Sequence, residues 1–260
     1  MDHRSILEGM ERAARLAGAV IREAKDIREG ITAKEGHANF VTLYDKRVQD
    51  LLFDALSRVC PQARMMGEEE GGALADLSGL VFCIAPIDGT TNFIMGYGSS
   101  ATSIALLQDG EPVIGLIYDP YLDRMFTAIR GQGAWRNGEP IRSSDRPLSE
   151  SLVVFGTSVY DPSLYDQTLS LCGQYMRAGI DLRRSGSCAV DLCNVAEGTA
   201  GFFFEMRLQL WDFAAGGLIC REAGCVLTDA QGQPLRYEGP SSVFCASRGV
   251  AAGKYLPGDL

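Results

Sequence analysis

Histidine is nearly missing from this chain of 260 residues: only His3 and His37 occur. A mechanism built on imidazole would have to use one of two residues in polar N-terminal segments, so Ser-His-Asp hydrolysis and histidine-held zinc drop out. A basic excess is also lacking. Lys and Arg total 24 against 33 Asp and Glu, a formal charge of −9, which opposes binding to a phosphate backbone or an anionic membrane. The nearest basic feature is the pair Arg183-Arg184, read as a solvated strand end or a dimer contact. No CxxC spacing joins the eight cysteines, and no histidine accompanies them. They read as separate buried thiols of a reducing compartment. No apolar run approaches the ~18 residues of a membrane span, and the opening MDHRSILEGM has no signal-like apolar core. A cytoplasmic protein with no membrane or nucleic-acid partner is expected.

What is present has the proportions of an ordinary globular protein, 46% hydrophobic and 22% charged, in a chain long enough to bury a large core. Ile6, Met10, Ala13, Ala17, Val20, Ile21 and Ala24 recur at helical spacing, with Ser5 and Glu8 as a capping-box pattern. A second helix runs through Val48, Leu51, Leu52, Ala55, Leu56 and Val59 to a stop at Pro61, with Thr42 and Asp45 at its start. Residues 80–84, 102–107, 113–118 and 125–129 are short apolar or alternating runs between turns, which predicts an antiparallel sheet flanked by the two helices. Beyond residues 142–150, strands at 152–155, 201–204, 225–228 and 243–246 alternate with helices at 164–176, 189–197 and 212–223. The fold class expected is α+β passing into α/β, with residues 1–145 and 146–260 as two packed subdomains.

Three acidic clusters fall at element ends, where a scaffold can aim them at one point. Glu68-Glu69-Glu70 follows a short strand, Asp88-Gly89-Thr90-Thr91-Asn92 ends the strand at 80–84, and Trp211-Asp212 opens a helix. Singly these are a solvated loop, a turn and a helix cap. Together, a strand ending in Asp88, a glycine and two threonines opening a helix offer N–H groups and hydroxyls to an anion. Glu68, Asp88 and Asp212 suit magnesium, which takes oxygen ligands and commonly shares them with substrate phosphate.

Glu68-Glu69, Pro86-Ile87-Asp88-Gly89-Thr90-Thr91-Asn92-Phe93 and Trp211-Asp212-Phe213-Ala214-Ala215-Gly216 resemble the three signatures of the inositol monophosphatase family, the magnesium-dependent, lithium-sensitive phosphomonoesterases. The likeness extends to Asn39-Phe40-Val41-Thr42 with Asp45, to residues 130–134 and to residues 183–187. It implies a layered αβαβα sandwich, a homodimer, and two or three magnesium ions held by Glu68, the Ile87 carbonyl, Asp88 and Asp212. It further implies that Thr90, supported by Glu68 and Asp45, positions the attacking water. Gly89, Thr90 and Thr91 would hold the phosphate, while Ser187, Ala189, Glu205 and Asp212 would line the substrate pocket. The substrate implied is inositol phosphate or a related polyol or sugar phosphate. Histidinol phosphate and fructose bisphosphate are alternatives within the family, and Thr91-Asn92 counts against adenosine bisphosphate.

The chain departs from the family pattern at Ala85, where members carry an aspartate that bridges two metals. Alanine cannot ligate, so near-inactivity is expected. Two accounts fit: a substitution that traps substrate, favoured because the other signature positions are intact, or a relative that has lost catalysis and acts as a binding or regulatory protein. Residues 94–98 form a glycine-containing lip that differs from relatives. Residues 34–39 resemble a family loop that helps hold a further magnesium, one residue longer here.

Overall fold

The computed structural model describes residues 2–27, 31–33, 40–70 and 76–256; the loop at 34–39 lies outside them. Helix α1 (His3–Glu23) follows the apolar periodicity, burying Ile6, Met10, Ala13, Ala17 and Ile21. Its cap is Asp2 rather than Ser5. The Asp2 carboxylate accepts from the backbone N–H of Arg4 and Ser5 at 3.1 and 3.3 Å, satisfying donors that the first turn leaves open. The short strands β1 (Thr32–Ala33) and β2 (Phe40–Val41) pair antiparallel. Helix α2 (Leu43–Val59) opens on a full capping box: Thr42 Oγ1 accepts from the N–H groups of Tyr44 and Asp45, and Asp45 Oδ2 accepts from Thr42 N at 2.7 Å.

Seven strands form the first sheet in spatial order: β3 (Arg64–Gly67), β4 (Leu80–Asp88), β5 (Ala101–Gln108), β6 (Glu111–Asp119), β7 (Arg124–Ile129), β8 (Ala134–Arg136) and β9 (Glu139–Ile141). The four runs expected to form an antiparallel sheet do so as β4 to β7, and β3 adds to it parallel to β4. The connection through residues 68–79 is long enough to return the chain for a parallel pairing. Helix α3 (Thr90–Met95) joins β4 to β5.

The second sheet has the order β11-β10-β12-β14-β13, built from β10 (Leu152–Phe155), β11 (Asp181–Arg183), β12 (Phe202–Leu208), β13 (Val226–Thr228) and β14 (Ser241–Ala246). With it go α4 (Tyr165–Ala178), α5 (Cys188–Ala196), α6 (Leu210–Glu222) and α7 (Arg248–Ala251). Helices α1 and α2 cover the outer face of the first sheet, α5 and α6 lie between the sheets, and α4 and α7 cover the far side. This is the layered αβαβα arrangement. Helix α6 is apolar around most of its circumference because it touches both sheets. It also packs close to β6, where a Cβ on Gly115 would stand 2.7 Å from the Ala215 carbonyl.

Side-chain alternation shows how the layers divide the residues. In β12, Phe202 and Phe204 enter the core under α4 while Phe203 enters the middle core. Full burial of each such ring contributes about 1.5–3 kcal/mol. In β4, Phe82 and Ile84 face α1 and α2 whereas Cys83 and Ala85 face α5 and α6. Regular alternation would then turn Ile87 inward and Asp88 outward. Instead the register slips between Ala85, opposite Ser103, and Asp88, opposite Ala101. This one-residue bulge sends Ile87 into the α1/α2 core and leaves Asp88 on the face of Ala85, toward the middle layer.

Candidate active site

A cavity of about 700 Å³ opens where β3, β4, α5, α6 and β12 end, walled by Glu68, Ile87, Asp88, Gly89, Thr90, Thr91, Ser187, Glu205 and Asp212 among others. The structure therefore brings three acidic clusters to one place, the third more than a hundred residues further along the chain than the first two. Glu68 stands in the turn after β3, Asp88 ends β4, and Asp212 lies in the first turn of α6.

Each carboxylate is fixed by its neighbours. Asp88 Oδ2 accepts from the Ser187 hydroxyl and from the Ala189 N–H, the latter at 2.8 Å. Ser187 and Ala189, expected as pocket residues, thus spend their donors on Asp88, and Ala189 is fully buried behind the wall. Asp212 Oδ2 accepts from Gln209 N at 2.8 Å. Glu205 Oε1 accepts from Ser158 N at 2.9 Å, and its other oxygen lies against Gly156, where a Cβ would come within 1.9 Å. Asp45 is buried and off the wall. Its Oδ2 takes the Thr42 hydroxyl at 2.6 Å, and its Oδ1 stands 3.2 Å from Thr90 Oγ1, which is also 3.1 Å from the Ile87 carbonyl.

Gly89 holds the turn before α3 at φ +86, and a Cβ there would lie 3.1 Å from the carbonyls of Gly186 and Ser99. Left-handed backbone of this kind favours glycine. It starts α3 with Thr90, Thr91 and Asn92 on the cavity wall, and the first N–H groups of a helix have no intrahelical acceptor.

Burial pushes the Asp88 carboxyl up to about 6, with the Ser187 and Ala189 hydrogen bonds pulling against it and the Glu68 charge adding to the rise. Asp212 is driven well above the usual carboxylate range by burial first, then by the charges of Glu68 and Asp88. Glu205 rises to about 7, again chiefly through burial and despite the hydrogen bond from Ser158 N. The acids repel one another, and a divalent cation would relieve that repulsion.

The donor set is hard oxygen, which fits magnesium in kind. However, Glu68, Asp88 and Asp212 do not close to a three-ligand cluster within 4.8 Å. Magnesium ions there would complete their coordination with water or substrate oxygens, as this ion commonly does. Ala85, fully buried on the face of β4 that looks toward α6, supplies nothing to bridge them.

Several wall residues carried no sequence signal strong enough to find them. Asp191, in the otherwise apolar helix α5, is buried against the cavity, and its Oδ1 has no hydrogen-bond partner among the described residues. Burial drives its carboxyl well upward. Tyr160 donates its hydroxyl to the Arg207 carbonyl at 2.8 Å. The arginine pair separates: Arg183 is exposed and pairs with Asp181 at 2.5 Å, while Arg184 reaches the cavity wall and donates from Nε to Thr157 Oγ1 at 3.2 Å. Both arginines are exposed at the end of β11, as expected of a solvated strand end, with Arg184 at the cavity wall.

Two stacked sheets sandwiched by helices, with an acid-lined cavity at the strand ends, define a fold of the sugar-phosphatase type. The sequence matches the inositol monophosphatase family over residues 2–257, and the chain belongs to that family. It is 37% identical over 223 residues to the Nus factor SuhB of Salmonella typhimurium, covering 85% of this chain and 84% of that one. It is 38% identical over 228 residues to inositol monophosphatase 2 of Solanum lycopersicum, covering 85% of each. Among solved structures it superposes with a TM-score of 0.84, at 32% identity and 94% coverage of each chain, on the extragenic suppressor protein suhB of Bartonella henselae. Among the described residues no helix is long and apolar enough to cross a membrane.

Proposed function

We propose that the cavity binds a small phosphate monoester of a polyol or sugar and is built for its magnesium-dependent hydrolysis, with Ala85 holding that hydrolysis to a low rate. The observation that carries this reading is the convergence of Glu68, Asp88 and Asp212 beside the Gly89-Thr90-Thr91 turn. The phosphate docks on that turn. Glu68 with the Ile87 carbonyl, and Asp88 with Asp212, are the ligand pairs for magnesium, which when bound supplies a Lewis acid that offsets phosphoryl charge.

The Thr90 hydroxyl has one proton, donated to Asp45 Oδ1 or to the Ile87 carbonyl, so its lone pairs accept from a water and orient that water at phosphorus. Asp45, locked by the Thr42 capping box, sets the direction of the hydroxyl. The water forms the new P–O bond, the bond to the leaving alkoxide breaks, and a water proton ends on that alkoxide. Glu205 accepts from the hydroxyls of the polyol. The break between residues 1–145 and 146–260 then places Glu68 and Asp88 on one subdomain and Asp212 and Glu205 on the other. A homodimer and inhibition by lithium belong to the same reading.

The test is Ala85→Asp, which restores a carboxylate on the β4 face toward Asp212. Because even supporting ligand contacts are worth about 10–100-fold, magnesium-dependent phosphate release from inositol monophosphate or a related ester is expected to rise by about 100-fold or more. A second reading, a binding or regulatory protein, draws on Ala85 itself and on the Nus factor name of the Salmonella relative. An inert revertant that retains its fold and copurifies with a large protein partner would favour that second reading.

A further inference from the structure

Outside the acidic cavity, one cluster of ligating side chains stands apart among the described residues. Cys220 near the end of α6, Cys225 just before β13 and Cys245 in β14 bring their sulfurs within 4.8 Å of one another, and all three are buried. None of them lines the phosphate cavity. The meeting follows from the chain path. Helix α6 ends at Glu222, Gly224 takes φ +88, and the N–H of Cys225 returns to the carbonyl of Cys220 at 2.9 Å, a left-handed helix stop that folds the chain back on its last turn. Leu227 of β13 then pairs with Cys245, which points into the middle core together with Cys220 and Cys225.

We propose that Cys220, Cys225 and Cys245 form a closed three-sulfur site for one soft, closed-shell d10 cation, Cu(I) or Zn(II). Three sulfurs about 2.3 Å from a common ion stand roughly 4 Å from one another, so the observed envelope needs only small side-chain adjustments. Thiolates select these ions over hard ones such as magnesium, which keeps the site chemically separate from the carboxylates. Hydrogen bonds within the trio and from Ser143 reach the Cys225 sulfur. Ser143 is anchored in turn, accepting from Arg248 N at 3.3 Å. Ligation displaces the thiol protons to solvent, with no change of oxidation state. The ion would tie the end of α6 to β13 and β14. Asp212 lies eight positions earlier on the same helix, about 12 Å along its axis, so the site braces the element that carries a carboxylate of the phosphate cavity.

The full chain, reduced and stripped with chelator, is titrated with Cu(I) against a chromophoric competitor and separately with Zn(II). Each ion is added both to the folded protein and during refolding from urea, so that slow entry into a buried site cannot hide binding. One equivalent of either ion, with three sulfur neighbours near 2.3 Å by X-ray absorption, is expected. Cys225→Ser should lower the affinity at least 100-fold, and Cys245→Ala gives an independent reading if the first variant fails to fold. Cys60→Ser, outside the cluster, should leave binding unchanged. Failure of both ions to bind under both conditions overturns the proposal, as does an ion with oxygen neighbours or affinity that survives loss of Cys225 or Cys245.

Discussion

Glu205 offers a clean quantitative test of the electrostatics of the cavity. Its side chain is buried, with the residue 8% exposed, and its carboxyl sits at about 7 rather than at 4.5. A carboxyl whose folded value lies above its unfolded value holds its proton more tightly in the folded state. Its contribution to stability is therefore greatest below pH 4.5 and is lost as pH rises toward 7. At about 1.4 kcal/mol per pH step, that interval is worth about 3 kcal/mol. Glu205→Gln keeps the shape and the acceptor for Ser158 N while removing the titration. Urea unfolding of both proteins from pH 4 to pH 8, in chelator, reports the difference directly, because titration of Asp88 and Asp212 is largely common to the two. Relative to the glutamine variant, the parent should lose about 3 kcal/mol between pH 4 and pH 7 and then level off. A difference that stays flat, or grows in the parent's favour with rising pH, would refute the assignment of Glu205 as a carboxyl raised by burial.

Thr42→Ala removes the acceptor for two α2 N–H groups and a donor to Asp45, and should cost about 1 kcal/mol in urea unfolding. Gly156→Ala places a methyl within 1.9 Å of the Glu205 carboxylate; in the Ala85→Asp background it should raise KM for a polyol phosphate more than it lowers kcat, and an unchanged KM would remove Glu205 from the substrate pocket. Gly89→Ala forces a Cβ onto backbone at φ +86 between two carbonyls, and thermal unfolding should register a loss of about 1–2 kcal/mol. Millimolar magnesium should raise the melting temperature of the parent, since it relieves repulsion among Glu68, Asp88 and Asp212; Asp212→Asn should weaken that rise, and equal stabilisation of both proteins would disconnect Asp212 from cation binding.

The parts of the fold readable in the sequence were those where one residue pattern has one structural solution. The periodicity of α1 and α2, the 152–155 strand and the acid-bearing ends of β4 and α6 all stand where pattern and turn chemistry put them. Strands β8, β9 and β11 escaped because each is three residues carrying an Arg, Glu or Asp, whereas the equally short β13 sits in the apolar run 225–228. The parallel pairing of β3 depends on where the chain returns, which local pattern does not encode. The acidic site was legible because its residues stand at element ends, Asp88 beside Gly89 and Thr90. Asp191 was not, since one acid within an apolar helix gives no spacing to read. The cysteines looked separate for a similar reason: Cys245 joins Cys220 and Cys225 only through the pairing of β13 with β14.

The slip in β4 at Pro86 and Ile87 makes the placement of a reactive group a matter of odd and even. Deleting Pro86 would remove the extra residue and restore strict alternation with Ile87 and Asp88 still on their present faces, whereas straightening the bulge at full length would swing Asp88 through the sheet into the hydrocarbon packing of α1 and α2 and carry Ile87 the other way. Loss of the slip with the residue count unchanged would thus exchange an apolar interior with an ionic pocket while altering nothing in composition.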